Sequence, residues 1–401
     1  MATIPKDITC SGSTARRMPA HLPYIAVSAF DIIALVLVIG PLATTLWIIP
    51  KEARKAFENR LWRFTGAALA TLTLSSMTLL VGRTLEMSRQ GLSEVAHWLP
   101  LVVRETPFGR VWLVRLILLV LAWAAWSIGR DLEWRRVAAS WLFAAVAVIA
   151  FTRSATGHPA DQGSWAAPEW VDWAHLVAVS VWAGVVFTMS GMIFPRLRQE
   201  RIPPSVRADL ITRLSSVATV ALIGILSTGI LSAYHYVGSW AALRDSSYGH
   251  ILLVKLALVA VAVALGAANR FLFVPRIRAA VVTPGGRGTT AYDPGETPLK
   301  LLTQSVGIET LFLLAALVAA AILLHGMPPR EMDHAIAGTT AQASRTARPG
   351  GVQRVSMRRI DAHQSSLRSL RSTARYGVLP TQTAPPGGLC RSWVGSGETS
   401  L

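Results

Sequence analysis

Ile251-Leu-Leu-Val-Lys255-Leu-Ala-Leu-Val-Ala260-Val-Ala-Val-Ala-Leu265-Gly-Ala-Ala268 runs for eighteen residues with a single charge, Lys255. Its apolar positions show neither the strict alternation of a half-buried strand nor a narrow helical stripe, so a helix here is apolar all round. At 1.5 Å per residue it is ~27 Å long, close to the ~30 Å hydrocarbon core of a bilayer. Seven further runs read the same way, and the eight spans are 24–49, 64–85, 111–128, 137–153, 172–194, 213–236, 250–274 and 301–324. Of the 401 residues 52% are hydrophobic and 15% charged, against roughly 25% charged in soluble domains. The pattern predicts an all-α, polytopic integral membrane protein with eight transmembrane helices and the lipid bilayer as its first partner. It excludes a soluble enzyme, a coiled coil, and an outer-membrane barrel of ~10-residue alternating strands. The two cysteines, Cys10 and Cys390, lie in the tails and offer no disulfide framework or cysteine metal site.

The formal charge of +17 points to membrane edges rather than nucleic acid, because Lys and Arg gather on the cytoplasmic side of membrane proteins. With bases at the span edges included, the loops after spans one, three, five and seven hold 18 Lys and Arg, and those after two, four and six hold 6. The first set is therefore expected in the cytoplasm and both termini outside, in a bacterial inner membrane. The first span is long and lacks a small-residue cleavage pattern, so it reads as a retained helix rather than a removed signal peptide. Residues 1–23 form an outer tail. Residues 326–401 hold ten Arg against four acids and no sustained apolar period, which predicts a disordered basic tail.

A repeat lies inside the spans. Phe108 and Tyr248, Gly109 and Gly249, Arg110 and His250, and Arg115 and Lys255 correspond at an offset of 140 residues. Ala26-Val-Ser28 in span one echoes Ala178-Val-Ser180 in span five. Four helices per unit make the halves parallel, related by an axis along the membrane normal. The expected domains are a first four-helix half, 24–153, and a second, 154–325, in a 4+4 arrangement.

The nine histidines fall at 21, 97, 158, 175, 235, 250, 325, 334 and 363, all on the expected outer side or in a tail. Imidazole suits copper and zinc, and thioether sulfur selects reduced copper. Asp172 and His175 share a helix face; His158 sits in the loop before them. His235 ends span six, His250 begins span seven, and His325-Gly-Met327 follows span eight. These seven residues are the candidate metal ligands.

Asp31, Arg115, Lys255 and Glu309 lie within spans, where a central charge costs about 2.5–3.5 kcal/mol on insertion scales. Asp31 and Arg115 are at matching depths, deep enough to pair. The long stems of Arg115 and Lys255 predict that both snorkel to the interface. Glu309 is read as a deep relay on a cation path that also includes Lys255, Met189 and Met192.

Gly157-His158, Asp172-x-x-His175 with Trp182-x-Gly184, Arg213 through Thr228-Gly229, Tyr248-Gly249 with Lys255, Asn269-Arg270, and Glu309 with Pro328-Pro329 resemble the CopD/PcoD copper resistance family, which also supplies the membrane half of YcnJ-type proteins. The resemblance covers roughly residues 150–329, more weakly the first four spans. It implies an eight-span inner-membrane protein that takes copper from the periplasmic side and imports it, beside a small CopC-like periplasmic copper-binding partner. The expected cargo is a copper ion, handled by a transporter rather than an enzyme, and a homo-oligomer is left open. No Gly-x4-Gly-Lys-Ser/Thr phosphate loop is present, so movement follows a gradient or couples to protons. Two other readings stay open: a b-type haem electron carrier with His175 and His235 as axial ligands, and a copper-binding or docking protein that does not transport.

Overall fold

The computed structural model describes residues 22–88, 91–156, 167–199, 202–236, 240–282 and 296–324. The helices are α1 Leu22–Ala43, α2 Arg54–Ser88, α3 Val95–Glu105, α4 Pro107–Ile128, α5 Arg135–Ser154, α6 Ala167–Thr188, α7 Phe194–Gln199, α8 Pro204–Tyr236, α9 Trp240–Asp245, α10 Ser247–Ala268, α11 Val274–Val282 and α12 Glu296–Leu323. Among the described residues there is no strand, and eight segments are long and apolar enough to cross a membrane. The protein is an all-α polytopic membrane protein. Large apolar side chains such as Val120, Trp141, Val220, Ile230 and Leu311 are more than half exposed, an arrangement stable only where lipid replaces water.

α1 and α6 form the centre. They pack on each other, α1 also on α2, α5 and α12, and α6 on α8, α5 and α12; α4 pairs with α5 and α10 with α12. The α1–α6 crossing depends on two glycines. A Cβ on Gly40 would lie 2.2 Å from the Gly184 carbonyl oxygen, and one on Gly184 2.6 Å from that of Val36. Such backbone approach is how helices associate in lipid, where no hydrophobic drive brings them together. One turn beyond each glycine a threonine hydroxyl donates back to it: Thr44 to Gly40 at 2.8 Å and Thr188 to Gly184 at 2.7 Å. Each helix then widens into a π-turn, Thr44–Ile48 and Met189–Ile193. Carbonyls of the first π-turn, on Thr45 and Leu46, accept from Arg136 Nη2 at 3.2 and 3.1 Å.

The two crossing glycines, Gly40 and Gly184, are 144 residues apart, whereas Ala26-Val-Ser28 and Ala178-Val-Ser180 are 152 apart. A second correspondence opens α4 and α10. Thr106 Oγ1 accepts from Gly109 N and Ser246 Oγ from Gly249 N, both at 2.9 Å. These N-caps satisfy donors that the first helical turn leaves free. A Cβ at Gly109 would lie 2.1 Å from the Val102 oxygen, and at Gly249 2.0 Å from that of Leu243. Only glycine permits the short helix before each span to pack this closely.

Several helices exceed the apolar runs that announced them: α2 has 35 residues and α8 has 33. The first turns of α2 are polar by composition, yet bury Phe57, Leu61 and Trp62. Packing on the bundle, not burial in lipid, carries the helix on. Reciprocal bonds hold α2 to α4, Trp62 Nε1 to the Trp126 carbonyl at 3.1 Å and Trp126 Nε1 to that of Trp62 at 3.0 Å.

Candidate functional site

Two polar clusters lie at the end of the bundle where α1 and α6 begin. In the first, Asp31 is 1% exposed and Arg115 2%. Arg115 Nη2 donates to Asp31 Oδ1 at 2.7 Å and to Oδ2 at 3.0 Å, Arg153 Nη1 donates to Oδ2 at 3.1 Å, and Ser75 Oγ donates to Oδ1 at 2.8 Å. Arg115 Nε donates to Ser76 Oγ at 3.0 Å, and its guanidinium lies over the Trp112 ring at 5.0 Å. Arg153 also bonds Ser28. The depth match of Asp31 and Arg115 is thereby met. The snorkelling expected of Arg115 is not. A partner 84 residues away in sequence holds its guanidinium inside, where charge-assisted bonds from Nη2 to both carboxylate oxygens outweigh the reach to the interface.

The second cluster is built on α6, α8 and α10. His175 Nδ1 and Thr228 Oγ1 are 2.9 Å apart, while Thr228 Oγ1 lies 2.6 Å from the Gly224 carbonyl oxygen. A hydroxyl has one hydrogen, and the carbonyl can only accept it. That geometry favours an Nδ1–H donating to Thr228, and the ring also hydrogen-bonds the Ile225 backbone. Metal-binding imidazoles are oriented in this way, the second nitrogen donating to a fixed acceptor. Gly229 keeps the space beside the ring open; an added Cβ would sit 3.5 Å from His175 Cε1. One turn before His175, Asp172 Oδ2 accepts from Ser154 Oγ at 2.6 Å. Lys255 on α10 acts electrostatically on both Asp172 and His175. It is only partly buried and has no ion pair within 4 Å among the described residues.

Two registers relate these clusters. Asp31 is nine residues ahead of Gly40 and His175 nine ahead of Gly184; Arg115 is nine past the cap Thr106 and Lys255 nine past the cap Ser246. Asp31 meets Ser76 and Arg115 where His175 meets Thr228 and Lys255. Adjacent residues of α5 serve both clusters, Arg153 bonding Asp31 and Ser154 bonding Asp172.

Glu309 lies deep in α12, 3% exposed. Asn269 Nδ2 donates to its Oε2 at 3.1 Å from a third π-turn, Asn269–Phe273. Both border a cavity of about 240 Å³ that also reaches Trp182, Ser215, Thr219 and Arg270. Asn269 Oδ1 is buried without a hydrogen-bond partner. Arg270 Nη1 crosses to α8, donating to Ser215 Oγ at 2.8 Å and Thr219 Oγ1 at 2.9 Å. Met189 is fully buried, and Met192 borders a separate cavity next to Arg60 and Arg63.

Of the sequence candidates, Asp172, His175 and Lys255 come together, and Glu309 stands apart with Asn269. His250 is exposed at the start of α10. His235 lies in α8, but its side chain, like His158, His325 and Met327, falls outside the described residues. Among the described residues no three His, Cys, Asp or Glu form a group able to hold a metal. Sequence reasoning missed Ser154 as a partner of Asp172 and Thr228 as the group that orients His175. Neither sits at a helical spacing from its partner, so no periodicity could reveal them.

Residues 18–167 match the family described as Copper resistance protein D-like, N-terminal domain, and residues 208–323 match Copper resistance protein D. Copper resistance protein D of Pseudomonas syringae pv. tomato is 30% identical over 235 residues, 55% of this chain and 74% of that protein. The chain belongs to the copper resistance protein D family. Within that family it is also similar to Inner membrane protein YebZ of Escherichia coli (strain K12), 27% identical over 64% of this chain and 86% of that one. Copper transport protein CutJ of Bacillus subtilis (strain 168) is 28% identical over 43% of this chain and 33% of its own length. No solved structure matches. The C-terminal family match contains Thr228, Lys255, Asn269 and Glu309, and the N-terminal one contains Asp31 and Arg115.

Proposed function

We propose that this protein is a multi-pass inner-membrane copper transporter that takes the ion from the periplasmic side and passes it toward the cytoplasm through its second half. The observation that carries the reading is His175, whose ring is held by Thr228 close to Asp172 and Lys255 in a copper resistance family. Asp172 supplies a carboxylate one turn away. His158, His235, His250, His325 and Met327 are the further ligands that the sequence offers to the same mouth. A few imidazoles without cysteine thiolates bind firmly enough to collect a cation and loosely enough to release it. The relatives named Copper transport protein and Inner membrane protein agree with this reading. A CopC-like periplasmic protein is the proposed donor, and both termini face outward.

The 4+4 repeat belongs to the same proposal. Matched glycines, threonine bonds, π-turns and N-caps in the two halves support it. So does the helix pairing, α1 with α2 as α6 with α8, and α4 with α5 as α10 with α12. Glu309 is the proposed proton relay: a buried carboxylate with one amide donor, bordering a cavity, has room to exchange a proton with water.

The test is cytoplasmic copper per cell in cells expressing the chain, an equally expressed His158→Ala/His175→Ala variant, or an empty vector. Import requires more copper in the first alone. Equal copper in all three overturns transport, and less copper in the first reverses its direction. Glu309→Gln should reduce uptake several-fold while sparing copper binding at His175; unchanged uptake removes the relay.

A further inference from the structure

At the opposite end of the α1–α6 crossing lies a cavity of about 510 Å³ that the transport reading does not use. Its walls are Leu37 of α1, Phe64 of α2, Phe187 of α6, and Gly191 and Met192 of the second π-turn. Gly191 faces open space, since an added Cβ there would meet nothing within 4 Å. Two bases, Arg60 and Arg63, stand at the edge of this apolar slot. They lie one turn apart on α2, both exposed, and neither has an ion pair or hydrogen bond among the described residues. Like charges at this spacing repel. They precede Phe64, where the apolar run of α2 begins, so they stand at the level where hydrocarbon gives way to headgroups.

Two free guanidiniums repel a metal cation, which argues against Met192 as a stepping stone for copper. They match a phosphate, which planar N–H forks bind well. The apolar slot beside them matches an acyl chain. We propose that this cavity binds one anionic phospholipid, its phosphate on Arg60 and Arg63 and a chain along Leu37, Phe64, Phe187 and Met192. Basic pockets between membrane helices hold anionic headgroups on the same grounds. The site would tie the lipid to the π-turn that follows the Gly184 crossing, and it stands whether or not the chain moves copper.

The full-length chain, purified in detergent micelles, would be titrated with phosphatidylglycerol, phosphatidylethanolamine or inorganic phosphate and read by native mass spectrometry. A first, tight phosphatidylglycerol adduct is expected, with phosphatidylethanolamine at least tenfold weaker and no protection by millimolar phosphate. Arg60→Gln/Arg63→Gln should weaken that adduct about thirtyfold, from two basic contacts of ordinary strength. Gly191→Trp should weaken it by filling the slot while leaving the charge intact. His175→Ala should leave it unchanged, which separates this site from the copper reading. Equal adducts in the wild type and the double arginine variant overturn the proposal. So does equal binding of the two lipids, or displacement by inorganic phosphate alone.

Discussion

The two polar clusters at the head of α1 and α6 occupy matching places and have opposite characters. In the first half Asp31 accepts from Arg115, Arg153 and Ser75, and both carboxylate oxygens are used. In the second, His175 is held by Thr228 and the Ile225 backbone, and the base opposite, Lys255, lies within the field of Asp172 without pairing to it. The first cluster is saturated and buried, with no group left to offer a ligand. The second keeps an imidazole, a carboxylate with Ser154 as its donor, and an ammonium outside ion-pair distance of any carboxylate among the described residues. Where the first cluster has Asp31 and Arg115 the second has His175 and Lys255, and on this difference the proposed copper site rests.

The largest effect that could break this comparison is on stability. Asp31→Ala would leave Arg115 buried without its counter-charge, a loss of about 3–5 kcal/mol. It should appear as a strongly lowered melting temperature in detergent, followed by tryptophan fluorescence. Asp31→Leu/Arg115→Met should recover most of that loss, because a buried pair replaced by apolar side chains is often neutral. His175→Ala removes the hydrogen bonds to Thr228 and the Ile225 backbone, each worth about 0.5–1.5 kcal/mol, yet should abolish copper binding. If Asp31→Ala melts no lower than His175→Ala, the first cluster is no clasp and the contrast falls.

The next effect sharpens the second half. Thr228→Val keeps the volume and removes the acceptor that fixes His175, so copper affinity should fall 10–100-fold, as for other groups that orient a ligand. Thr228→Ser restores the acceptor and should restore most of the binding. The readout is a copper titration of the purified chain by calorimetry, which a general loss of packing would not rescue through serine. Equal affinity in wild type and the valine variant would mean that Nδ1 is not held by this hydroxyl when metal binds.

How much of this could be read from the chain alone follows from where the information lies. Apolar runs are local, and all eight spans were legible from them. The extension of α2 through Arg54–Arg63 was not, because its helical face is defined by what Phe57, Leu61 and Trp62 pack against. The depth of Asp31 and Arg115 could be counted residue by residue. That Arg115 pairs instead of snorkelling depends on α1 and α4 presenting these residues to one another, a fact of tertiary packing. His175 stood out as a residue type, whereas the way its ring is held depends on a hydroxyl 53 residues on. The π-turns left no trace in the hydropathy pattern.

The smallest effect tests whether the halves match below the level of their charges. Thr106 and Ser246 cap α4 and α10 with bonds of the same length, and each opens the helix that carries Arg115 or Lys255. Replacing a capping hydroxyl by alanine costs about 1 kcal/mol. Thr106→Ala and Ser246→Ala should therefore lower the melting temperature by similar, small amounts, although the clusters nine residues further on differ so much in stability. Their consequences should then separate. Loosening α4 acts on a clasp whose carboxylate accepts from Arg115, Arg153 and Ser75 and should leave copper binding unchanged. Loosening α10 shifts Lys255 against Asp172 and His175, and should alter copper affinity a few-fold with no larger loss of fold. Equal melting shifts with unequal copper affinities would show one scaffold used twice, once to hold the bundle and once to hold the ion. Equal effects on copper would place the working site across both halves.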